Sequence, residues 1–107
     1  MLQLASSSPA RPARPTRLRV VTGRDLAYHR LTMGLTIAAV AIAMRVHHYR
    51  LRSLEAGDMP LRSELRERWE AALRIVATKR LRLLARQGWP LDSLPEPMRA
   101  AFTRYVR

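Results

Sequence analysis

Three histidines, His29 and the adjacent pair His47-His48, are the residues best suited to hold a metal or a haem, since neutral imidazole is a common ligand. Their spacing argues against a shared site. Eighteen residues separate His29 from His47, roughly 27 Å along a continuous helix. Neighbouring histidines point in different directions around a helix, and no cluster of acids or cysteines stands beside the pair at ligand spacing. They read as interfacial or surface side chains. Glu64, Glu67 and Glu70 could do acid–base work, but Arg62, Arg66, Arg68 and Arg74 are interleaved with them. A solvated, salt-bridged helix face accounts for that pattern. Ser6, Ser7 and Ser8 have no partnering base in sequence reach, and the four glycines form neither a phosphate loop nor a dinucleotide fingerprint. The absence of cysteine removes thiolate chemistry. The sequence therefore predicts no catalytic residue, no cofactor and no metal, and the chain reads as a non-enzyme.

The elements that would position these residues centre on one segment. Between Arg30 and Arg45 lie fourteen uncharged residues, LTMGLTIAAVAIAM. As a helix they cover ~21 Å, against a bilayer core of about 30 Å. Tyr28 and Tyr49 bracket the run roughly 31 Å apart on one helix, where interfacial aromatics would sit. Arg30 and Arg45 fall inside that bracket and could extend their guanidinium groups toward headgroups. The expectation is a transmembrane helix over 25–56, with Asp25 as N-cap. Gly34, Ala38 and Ala41 would give it a small-residue face on which another helix could pack closely.

Residues 1–24 are an extended arm containing five arginines, three prolines, three serines and no acid. That composition resembles a mitochondrial presequence, although the prolines forbid an amphipathic helix. A bacterial signal peptide with Ala41-Ile42-Ala43 as cleavage motif is the competing reading. Its basic region would be thirty residues long, so the arm is expected to be retained. Residues 57–107 form a two-helix tail, too small to bury a large core alone. In it a long amphipathic helix runs from an Asp58 cap, with Pro60 in its first turn, to Gln87 and a Gly88 stop. A short helix over about 96–106 follows, with Ser93 and Glu96 at capping-box spacing. The fold class is all-α.

The net charge of +12 comes from nineteen arginines and one lysine against eight acids, which favours anionic lipid, RNA or acidic proteins. Lys79, Arg80, Arg82 and Arg86 form a basic helix end that could meet lipid headgroups, cardiolipin for example, or phosphates. Trp69, Trp89 and Phe102 are expected as anchors for partner chains. Together these features predict a noncatalytic, single-pass accessory subunit of a mitochondrial inner-membrane complex, a respiratory-chain complex or the ATP synthase, held among its other subunits. A small excess of arginines before the span predicts the N-terminus in the matrix. The alternatives are a mitochondrial ribosomal protein, with the arm and the Lys79–Arg86 helix on rRNA, and a bacterial membrane-anchored protein.

Overall fold

A computed structural model describes residues 22–106, and among them there are five α-helices, one short 3-10 turn and no strand. The all-α expectation holds. The arm lies outside the described residues up to position 21.

A continuous helix over 25–56 does not form. The segment folds as α1 (Gly23–Thr32), α2 (Ile37–Met44) and α3 (His48–Ala56). Thr22, not Asp25, is the cap of α1. Its hydroxyl accepts from the Asp25 amide, and the Asp25 carboxylate accepts from the Thr22 amide, closing a capping box. The helix stops at Gly34, whose φ of +71° is the left-handed conformation that costs glycine nothing. Leu35 N–H then bonds back to Arg30 C=O and Gly34 N–H to Leu31 C=O, which satisfies the last carbonyls of α1. Thr36 starts the next helix by accepting from the Ala39 amide at 3.1 Å. The break therefore has a stop signal and a start signal two residues apart, inside a run whose apolarity hides both.

The end of α2 repeats the same pair of bonds, Val46 to Ala41 and Arg45 to Ile42. Here, though, the left-handed residue is Arg45, at φ +60°. A side-chain-bearing residue in that region carries strain of roughly 1–2 kcal/mol. Burial is what offsets it. The bend turns one face of the apolar run, Met33, Leu35, Val40, Ala41 and Met44, into the core, and leaves Leu31 and Ile42 outside. No single described helix is long and apolar enough to cross a membrane. Only α1 and α2 taken together pass by length and composition, and they are bent by 118°.

The long helix α4 (Ser63–Arg86) is capped at Arg62, four residues later than the predicted Asp58 cap, and ends where expected, before Gly88. It covers α2 on one side and α5 (Glu96–Tyr105) on the other, while α5 also reaches α1 and α1 packs on α3. Trp69, Phe102, Leu26, Leu51, Leu73 and Val40 are fully buried where these helices meet. The Ser93–Glu96 capping box does not form, because the Ser93 hydroxyl donates to Pro90 C=O instead.

Candidate nucleic-acid interface

Helix α3 combines a locked inner side with a basic outer side. It follows α2 after a turn of only three residues, Arg45-Val46-His47. The His47 ring is its N-cap, accepting from the Tyr49 amide at 3.3 Å. Inward, Leu51 and Leu54 are buried. Glu55, also buried, is gripped by Arg30 of α1 through Nε and Nη2 at 2.8 and 2.9 Å. Nη1 of the same arginine donates to Leu35 C=O at 2.8 Å. One guanidinium thus ties α1, the turn after it and α3, using the fork geometry that lysine lacks. At the far end, α1 and α3 touch backbone to backbone. A Cβ on Gly23 would lie 1.6 Å from Leu54 O, so only glycine fits there. From α4, Arg68 donates to Met44 C=O at 2.6 Å and steadies the end of α2.

Outward, α3 presents Tyr49, Arg50 and Arg52, with Tyr49 70% exposed. Both histidine rings lie nearly parallel to Tyr49, at centroid distances of 5.0 Å for His47 and 5.9 Å for His48. Arg52 Nη2 reaches His48 Nε2 at 3.3 Å, which sets the guanidinium along the helix. The only acid of α3 is turned inward against Arg30, so its exposed charge is wholly positive. A surface of guanidinium donors and aromatic faces can hold phosphates, base edges or base planes.

The other predicted site residues are dispersed. Gly34 ends α1, Ala38 is exposed, and Ala41 is buried, so the three do not share one packing face. Tyr28 is half-buried, Arg30 is engaged with Glu55, and Arg45 stands exposed in the α2–α3 turn. Trp69 and Phe102 lie in the core, whereas Trp89 is exposed after α4. Lys79, Arg82 and Arg86 are exposed on the last turns of α4. Arg80 leans toward Gly34, its Nε buried without a hydrogen-bond partner.

Sequence reasoning left two pairings unread. His29, expected at a surface or interface, is fully buried, and its Nδ1 is hydrogen-bonded to the Tyr105 hydroxyl. Trp69 stands beside both rings, edge-on to Tyr105. Burial raises the Tyr105 pKa against the opposing pull of Arg104. This joins α1 to α5 across 76 positions of sequence, a separation no local pattern could report. Arg30 and Glu55 are the second omission; two charges twenty-five positions apart carry no helical spacing signal. No group of three or more His, Cys, Asp or Glu side chains that could hold a metal occurs among the described residues. No known family model matches the chain, and no curated protein or solved structure is similar to it.

Proposed function

We propose that this chain is a noncatalytic nucleic-acid-binding protein that works through the outer face of α3. The observation that carries the reading is the pairing of a rigidly seated inner side (Leu51, Leu54 and the Arg30–Glu55 bridge) with an outer side of Tyr49, Arg50 and Arg52. Arg52, oriented by His48, loses less side-chain freedom on binding than an unsupported surface arginine. The net charge of +12 supports the same partner class.

A second reading, the accessory subunit of a mitochondrial inner-membrane complex, keeps one supporting observation, the length and apolarity of α1 and α2 taken together. Spanning a bilayer would require these helices to straighten and draw Val40, Ala41 and Met44 away from their present neighbours. The nucleic-acid reading needs no rearrangement, and it is preferred for that reason. The mitochondrial location, with either a membrane or a ribosomal partner, rests on the composition of residues 1–24 alone.

Fluorescence anisotropy of the full chain with labelled 20-mer nucleic acids is the deciding experiment. Expected is binding that weakens steeply between 50 and 200 mM salt, and that falls about tenfold or more in an Arg50→Ala/Arg52→Ala variant of unchanged circular dichroism. Equal binding by variant and parent would remove α3 from the site. Absence of binding, with retention of the native protein in alkaline-carbonate-washed membranes, would return the argument to the membrane subunit.

A further inference from the structure

Resting on the nucleic-acid reading, we propose that the partner is double-stranded DNA, and that α1–α3 is a helix–turn–helix unit whose α3 enters the major groove. Two short helices joined by a three-residue turn, with a preceding helix packed behind the second, is the arrangement that offers one helix to a groove while the other crosses the backbone.

The residues agree with that use position by position. Val40, Ala41 and Met44 of α2 and Leu51 and Leu54 of α3 are buried, and Val46 of the turn packs against the same core. Arg45 supplies the left-handed residue that ends α2 and opens the turn. With its side chains an α-helix is ~10–12 Å across, close to the ~12 Å width of the B-form major groove. The deep, narrow major groove of A-form RNA does not admit it. RNA is thus disfavoured by shape, although its phosphates would attract the same charge.

Within α3 the exposed Tyr49 and Arg52 and the half-buried Ser53 share one side, spaced i, i+3 and i+4, and they would face the base edges. Arg52, directed by His48, suits the O6 and N7 acceptors of guanine. Arg50 lies to one side and Arg45 stands in the turn, where phosphates flank the groove. Glu55, the one side chain of α3 that would repel DNA, is withdrawn from that surface by Arg30.

The test is selection of the full chain on a randomised duplex pool, followed by anisotropy titration of the enriched duplex, a scrambled duplex, and duplex RNA of the enriched sequence. Expected is an enriched motif containing guanine, bound at least tenfold tighter than either control. Arg52→Ala should lose about tenfold of the preference at one guanine, whereas Arg50→Ala should weaken enriched and scrambled duplexes by the same factor. Circular dichroism of each variant separates loss of contact from loss of fold. If no motif enriches, or the RNA duplex binds as tightly as the DNA, the groove assignment is overturned while nucleic-acid binding stands. If none of the three binds, both fall.

Discussion

Helix α3 and the last two turns of α4 are both basic, yet they are built differently. In α3, Arg50 and Arg52 project from a helix whose opposite side is fixed by buried leucines and an ion pair. In α4, Lys79, Arg82 and Arg86 project from a helix end with Ile75 and Leu83 exposed among them. Their charge also complements the helix dipole, a sufficient reason for it to be there. Equal charge therefore does not imply equal use. Both helices are packed from behind, α4 through Ala77 and Leu84, but α3 alone of the two sets an exposed tyrosine and a histidine-directed arginine on its basic side.

The comparison breaks most sharply at Glu55. Replacing it with alanine strands the Arg30 guanidinium, which has only 11% side-chain exposure, without its carboxylate. The expected loss of stability is about 3 kcal/mol, read as a lower denaturation midpoint, with nucleic-acid affinity falling alongside it. A Glu55→Ala protein of parental stability would mean that Leu51 and Leu54 alone seat α3.

The opposite side of the comparison is sharpened by Lys79→Ala/Arg82→Ala/Arg86→Ala. This triple variant should lower affinity for every duplex by a similar factor and make binding less salt-dependent. The preference between enriched and scrambled DNA should not move. A change in that preference would make α4 a second reading element.

The smallest effect belongs to the turn that sets the angle of α3. Arg45→Gly removes left-handed strain but gives the unfolded chain more freedom, so a net gain of roughly 0.5–1 kcal/mol in stability is expected. Chemical denaturation would measure it. A loss instead would show that the Arg45 side chain makes a contact worth more than the strain.

Much of the C-terminal half was legible. The charge gradient of α4, its Gly88 stop and the range of α5 follow from local pattern, and each lies within a residue or two of expectation. The first half departs from expectation at two breaks, because the fourteen uncharged residues and their flanks read as a single helix by apolarity alone. The stop at Gly34 and the cap at Thr36 were present but carry little weight inside so apolar a run. The second break had no signal at all, since arginine is not a residue that marks a left-handed turn. With the helix taken as continuous, His47, His48 and Tyr49 read as the margin of a membrane span instead of part of a separate helix. The candidate site was missed through a boundary, not through its residues.

The bend between α1 and α2 also governs how this protein fares when it unfolds. Folded, the stretch from Leu31 to Met44 shows solvent only part of its apolar surface. Unfolded, it is an uninterrupted uncharged segment that other chains or a bilayer can engage, and such segments aggregate unless flanking charges hold them apart. Arg30 and Arg45 stand at its two ends. One of them locks α3 in place and the other turns the chain toward it, so the residues that shape the native site are also the gatekeepers of its most aggregation-prone sequence.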